Sequence, residues 1–254
     1  MNGDQTVFTA EIAGIPVEIR ARYPKNKDYF RDYLTGREAE ITIEPSEDDI
    51  ARVKESFRRA DIAEGRGDRS YRLWYLENGA IHTLLAEALV QKNVLLMHGS
   101  ALEMDGETYI FTAKSGTGKS THTRLWREAF PGRCRMINDD KPMLRVEESG
   151  VTVFGTPWYG KHGLGCNARS PLKAIVSLER GETNSIVPLE APERFPLLLR
   201  QVFSSCSPEN MRTILELESK LAASIPFYRL RCNMRPDAAL TAWRGMNPGK
   251  PDPV

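Results

Sequence analysis

The sequence predicts an α/β protein: a P-loop core with a mixed sheet, carrying a small α+β region at its N-terminus. Three observations predict it. A glycine-rich loop stands between a β-rich run, Thr108 to Thr112, and a helical run, Thr121 to Phe130. Further strand and helix patterns follow that loop as far as Gly245. The first 68 residues carry strands and helices of their own, closed by the polar break Glu64-Gly65-Arg66-Gly67-Asp68.

Taken in order, Val7 to Arg22 alternates apolar and polar around Ala13-Gly14, a β-hairpin pattern. Lys27 to Leu34 reads as a short helix stopped by Gly36, and Glu40 to Glu44 as a third strand. Ser46 is a suitable N-cap for a helix with Glu47, Asp48 and Asp49 in its first turn. Ile50, Val53 and Phe57 then share one face. Tyr71 to Gln91 reads as a longer helix, interrupted by Gly79. Val94 to Met97 is a strand-sized apolar run, and two more strands flank the turn signal Asp105-Gly106. After the loop and its helix, Arg135 to Asn138 is a short strand that delivers Asp139-Asp140. Met143 to Val146 and Val151 to Phe154 pair around Ser149-Gly150, and Ala174 to Leu178 is a buried strand. Glu193 to Ser204 and Pro208 to Ser224 are helices, Phe227 to Cys232 a strand, and Arg235 to Gly245 a closing helix. The expected organisation is an accessory region over 1–68, a core over 69–246 and a disordered tail over 247–254.

Lys plus Arg number 35 against 34 Asp plus Glu, which argues against wholesale binding to nucleic acid or an acidic membrane. No apolar run approaches a membrane span, and Met1 to Gln5 shows no basic-then-apolar signal pattern. Cys134, Cys166, Cys206 and Cys232 are scattered, with no Cys-x-x-Cys pair, so they read as reduced thiols. A soluble cytoplasmic protein is the expectation, and a homo-oligomer stays open.

The loop is Ala113-Lys114-Ser115-Gly116-Thr117-Gly118-Lys119-Ser120-Thr121, with Ala113 where the P-loop pattern has its first glycine. Gly116 and Gly118 let backbone N–H groups turn inward around a phosphate. Lys119 brings a cation to the β- and γ-phosphates, and the Ser120 hydroxyl can ligate Mg²⁺. The strand–loop–helix order aims a helix N-terminus at the anion. Ser115 to Thr121 are therefore the expected nucleotide-binding residues, with ATP and Mg²⁺ as cofactors.

Other residues surround that motif in sequence. Asp139-Asp140, about twenty residues past Lys119, ends a strand, where an acidic group near a P-loop meets Mg²⁺ directly or through water. Adjacent carboxylates on a strand point to opposite faces, so one can serve the metal and the other an acceptor hydroxyl. His98, in Met97-His98-Gly99, stands at a strand end beside the loop and is a second candidate. Thr156 to Gly165 combines three glycines, two aromatics and Lys161; it could close over a ligand and bring Lys161 to a transferring phosphoryl group. His122, one turn into the helix, could touch phosphate or serve structure alone, while Leu125 and Trp126 should face the sheet.

Met97 to Asp140 resembles the catalytic core of the HPr kinase/phosphorylase family, a P-loop group related in fold to ATP-dependent phosphoenolpyruvate carboxykinase. Met97-His98-Gly99, Ser115 to Ser120 and Asp139-Asp140 stand in the family's order. The resemblance implies that His98 assists catalysis, Lys119 holds phosphates, Ser120 binds Mg²⁺ and Asp140 is the base on a serine hydroxyl. Asp139 would then help hold the metal. The family's glycine-rich catalytic loop carries a metal-binding Glu and an Arg-Gly pair; Gly160 to Gly165 lacks that Glu and offers Lys161 or His162 in place of the Arg. Residues 1–92 do not resemble the regulatory domain of the full-length family members. The chain is more similar to the short HPr kinase-like proteins, some of which accompany ribosomally made peptides such as lasso peptides and phosphorylate a serine near the peptide C-terminus. Trp158 to Arg180 and Ile225 to Leu230 carry that likeness. The implied activity is ATP- and Mg²⁺-dependent phosphorylation of serine on a peptide or small protein. A small-molecule kinase, acting on an amino acid or sugar, is one alternative, and a non-catalytic nucleotide sensor is another.

Overall fold

The computed structural model describes residues 5–253, so the reading of the extreme N-terminus lies outside the described residues. The chain divides into two compact units, Met1–Leu89 and Val90–Val254. That division falls after the long second-region helix, not at the polar break over 64–68.

In the first unit, β1 (Thr6–Ile12) and β2 (Ile15–Ala21) form the antiparallel hairpin, turned by Ala13 and Gly14 at φ 51° and 77°. β3 (Ile41–Ile43) adds in parallel to β2. The expected single helix over 27–34 is split into α1 (Lys25–Tyr29) and a 3₁₀ turn, Arg31–Tyr33. Ser46 caps α2 (Glu47–Ala63) in a capping box with Asp49, its hydroxyl accepting the Asp49 N–H at 3.1 Å. α3 (Leu73–Val90) is continuous through Gly79. A Cβ there would stand 2.7 Å from a Val53 methyl, so this glycine admits α2 closely and does not break the helix. The buried Glu77 carboxylate of α3 accepts the N–H groups of Arg22 and Tyr23 and the Asn26 amide. Those bonds, with Leu76 and Ala80 packed on Val53, place α3 in the first unit and correct its assignment to the core.

The second unit is built on one mixed sheet of nine strands among the described residues. Its strands are β4 (Val94–Leu96), β5 (Ser100–Met104), β6 (Glu107–Thr112), β7 (Cys134–Asn138), β8 (Met143–Glu147), β9 (Gly150–Phe154), β10 (Arg169–Arg180), β11 (Ser185–Pro188) and β12 (Phe227–Cys232). The order is β4-β8-β9-β10-β6-β5-β7, and β12 also pairs β10 and carries β11. β10 organises the rest. Arg169 to Pro171 pair antiparallel with β9, while its later residues lie between β6 and β12, parallel to both.

Both faces of the parallel centre are buried, as such strands require. Ile110, Ile175 and Phe227 share one cluster with Leu197 and Leu198 of α5 (Ala191–Gln201) and Ile214, Leu217 and Leu221 of α6 (Pro208–Ser224). Phe111, Val176 and Leu230 share the other with Leu125 and Trp126 of α4 (Lys119–Ala129) and Ala239 and Trp243 of α7 (Asp237–Met246). The tail is anchored where disorder was expected to begin: the buried Asn247 amide donates to the Trp243 carbonyl at 3.0 Å, and Asp252 pairs with Arg244. Among the described residues no helix is long and apolar enough to cross a membrane.

Candidate functional site

β6 runs parallel to β10 and ends at Thr112, opposite Ser177; the glycine-rich loop leaves from that end and α4 begins at Lys119. A parallel strand's carboxyl end is where such sheets open a crevice. Gly116 and Gly118 sit at φ 77° and 126°, which side chains with a Cβ resist. Ala113, standing for the missing first glycine, is buried in the α4-side core, so its methyl contributes to packing. Its carbonyl accepts the Lys119 ammonium at 3.2 Å. Burial pulls the Lys119 pKa below its ordinary value, against the opposing pull of Asp140.

The two other sequence motifs are joined by a backbone seam. The Met97 N–H donates to the Pro142 carbonyl and the Gly99 N–H to the Asp140 carbonyl, both at 3.0 Å. The Ser100 hydroxyl donates to the Asp139 carbonyl at 2.9 Å. His98 is held on its other side by α5: its N–H donates to the Gln201 carbonyl at 2.7 Å, and its own carbonyl accepts the Thr112 hydroxyl. The seam leaves His98 Nε2 3.4 Å from an Asp140 oxygen.

The adjacent carboxylates are driven in opposite directions. Burial pushes the Asp139 pKa up, although the Gly160 N–H, 2.6 Å from Oδ1, resists this. The other Asp139 oxygen is buried without a hydrogen-bond partner. Burial also pushes Asp140 upward, but the His98 ring, Lys141 and Lys119 outweigh it and hold Asp140 below its ordinary value. Asp140 is therefore ionised at neutral pH and lies within electrostatic reach of Lys119.

Asn138, which sequence reasoning passed over, builds this corner. Its buried carbonyl oxygen accepts the N–H groups of Asp140 at 2.8 Å and Lys141 at 2.6 Å. Its amide donates to the Thr156 carbonyl and hydroxyl and to the Trp158 carbonyl. One side chain thus sets the turn at the acidic pair and ties the 155–165 loop to it. An Asn ending a strand just before a polar turn was the available signal.

Lys161 and His162 are exposed on that loop, and Gly160 rather than Lys161 makes its contact with the acidic pair. The His122 ring, in the first turn of α4, faces the core and not the glycine-rich loop. It is buried against Phe111 with ring centroids 4.7 Å apart, and its Nε2 accepts the Trp126 indole N–H at 3.0 Å. Burial lowers its pKa to about 3, so it is a neutral core residue.

A cleft of roughly 710 Å³ opens beside the glycine-rich loop, lined by His98, Lys114 and Thr117, by Ser177 to Arg180 of β10, and by Leu197, Arg200 and Gln201 of α5. The Arg180 guanidinium donates to the Gly116 carbonyl at 2.7 Å. Neither arginine carries a local motif; the register of β10 on β6 and the course of α5 bring them here.

No family model matches the chain, and no curated protein matches it. Among solved structures, the Hpr(Ser) kinase/phosphatase from Coxiella burnetii is similar over 59% of this chain and 87% of that one, with 11% sequence identity and a TM-score of 0.36.

Proposed function

We propose that the chain is an ATP- and Mg²⁺-dependent kinase that transfers the γ-phosphoryl group to a hydroxyl, with serine of a peptide or small protein as acceptor. The observation that carries this reading is the convergence of three sequence-distant groups: ionised Asp140, His98 beside it, and Lys119 at the start of a helix that follows a glycine-rich loop. Phosphoryl transfer needs positioning and charge neutralisation more than covalent chemistry, and these residues supply both.

In this reading the N–H groups of Ser115 to Thr121 and the N-terminus of α4 hold the phosphates. Lys119, desolvated and therefore a stronger electrostatic partner than in water, turns from the Ala113 carbonyl to the γ-phosphate. Asp140 accepts the acceptor hydroxyl's proton, and His98 fixes the carboxylate's orientation. The 155–165 loop contributes its Gly160 N–H to Asp139, while Lys161 stands exposed on it as a cation that a substrate phosphate would have to reach. The residues fit a magnesium ion: the Ser120 hydroxyl and the unpartnered Asp139 oxygen are hard oxygen donors, the set that Mg²⁺ takes alongside phosphate oxygens and water. Bound there, the ion would neutralise phosphate charge and keep Asp139 ionised against the burial that now favours its proton.

The test is transfer of label from γ-labelled ATP to serine peptides, followed by mass spectrometry. Lys119→Ala should abolish transfer. Asp140→Asn should keep ATP affinity while transfer falls by about 10²–10⁴-fold, the range for a positioned proton acceptor. Near-normal transfer by Asp140→Asn would remove the base assignment, and ATP bound without transfer to any hydroxyl would leave a sensor.

A further inference from the structure

The cleft beside the loop carries charge that the proposed transfer leaves unused. Three cations line it: Lys114 from the loop, Arg180 from the end of β10 and Arg200 from the end of α5. The one carboxylate in the lining, Glu179, is engaged by Arg229 at 3.0 Å and Arg231 at 3.6 Å. Arg180 donates to a neutral carbonyl, and the side chains of Lys114 and Arg200 make no hydrogen bond or ion pair among the described residues. A guanidinium left uncompensated in a concave wall is a recognition element for a carboxylate or phosphate, whose paired oxygens match its fork.

Position then says which reactant brings the anion. Arg200 immediately precedes Gln201, whose carbonyl holds the His98 N–H. Arg200 and His98 line the same cleft, Arg200 supplied by α5, and the glycine-rich loop contributes Lys114 and Thr117 to it. Resting on the reading of Asp140 as proton acceptor, we infer that the acceptor carries acid groups beside its hydroxyl, bound by Arg200 with Arg180 and Lys114 alongside: an acidic serine segment, not a neutral one. The cleft's roughly 710 Å³ lies within the range of small-ligand sites, enough for a short segment.

The experiment is calorimetric titration of the full chain with two probe peptides, acetyl-Glu-Ser-Glu-amide and acetyl-Gln-Ser-Gln-amide, with and without saturating Mg-ADP. The acidic probe should bind about tenfold tighter or better, the worth of a charge-assisted contact, and equally with ADP present. Arg200→Gln should erase the preference with an unchanged melting temperature, since the side chain is exposed, and Arg200→Lys should restore part of it. Equal binding of the two probes, or binding of neither, overturns the inference. So does displacement of the acidic probe by ADP, which would give the cations to the nucleotide's phosphates. ADP titrated alone separates the two readings: ADP binding without acid preference removes this inference only. Acid preference without ADP binding removes the kinase reading and the acceptor assignment with it.

Discussion

Glu218 lies on the inner face of α6 among Ile214, Leu217 and Leu221, only 1% exposed, and one of its carboxylate oxygens has no hydrogen-bond partner. Burial alone raises its pKa from 4.5 to about 7. The folded chain therefore holds a proton between those values that the unfolded chain has released, and stability falls as pH rises through that window. Below pH 4.5 both states are protonated and the penalty vanishes; above pH 7 it is complete. At roughly 1.4 kcal/mol per pH unit, ionising this carboxyl costs the fold about 3 kcal/mol. Glu218→Gln keeps the shape and removes the charge, so the variant should match the parent near pH 4.5 and exceed it at pH 8. For a unit of this size the gap at pH 8 corresponds to about 6–12 °C in melting temperature, less whatever the unpaired amide costs. Melting curves of both proteins from pH 4.5 to 8 measure it. Parallel curves across that range would refute the argument, because the pH-dependent loss would then not originate at Glu218.

His122 gives the opposite slope. Its pKa is about 3 in the fold and 6.5 outside it, so the stability it contributes is present above pH 6.5 and lost as pH falls toward 3. His122→Gln, which can still accept the Trp126 indole N–H, should flatten that acid limb in melting curves. Asn138→Ala would leave the Asp140 and Lys141 N–H groups without their acceptor. Both groups are half-buried, so at about 1 kcal/mol each, the low end for an orphaned donor, denaturant unfolding should show a loss of about 2 kcal/mol. Asn138→Asp, which keeps an acceptor oxygen for both N–H groups, should recover part of that loss.

Local signals were legible and non-local ones were not. The glycine-rich loop, the Asp139-Asp140 pair and the hairpin around Asp105-Gly106 are each specified by adjacent residues, and the structure places each between its expected elements. Ser46 with Asp49 is equally local. β11 was missed because it is four residues long with almost every position exposed; its pairing with β12 makes it a strand, not its own pattern. The unit boundary was misplaced because a polar run looks like a linker, while Glu77 reaches back more than fifty residues to Arg22 and Tyr23. His122 could have been assigned from helix phase. With Leu125 and Trp126 toward the sheet, a residue three and four positions earlier must share their face.

The 155–165 loop shows how one composition supports two physical readings. Its glycines suggested freedom to close over a ligand. In the structure two glycines at its ends instead permit close approach: a Cβ at Gly165 would fall 2.3 Å from the Tyr159 ring, and one at Gly155, just before Thr156, 1.9 Å from the Cys166 carbonyl oxygen. The Cys166 N–H donates to the Ile137 carbonyl, and Gly165 bridges Asn138, so the loop lies along β7 as a packed wall. That changes what the loop can contribute. A mobile flap would deliver Lys161 only on closure. A wall fixed by Asn138 on one side and by the Gly160 bond to Asp139 on the other holds the acidic pair in place before any ligand arrives. In the proposed reading, preorganised charge of this kind needs no reorganisation as charge develops, which is where phosphoryl transfer gains most of its rate.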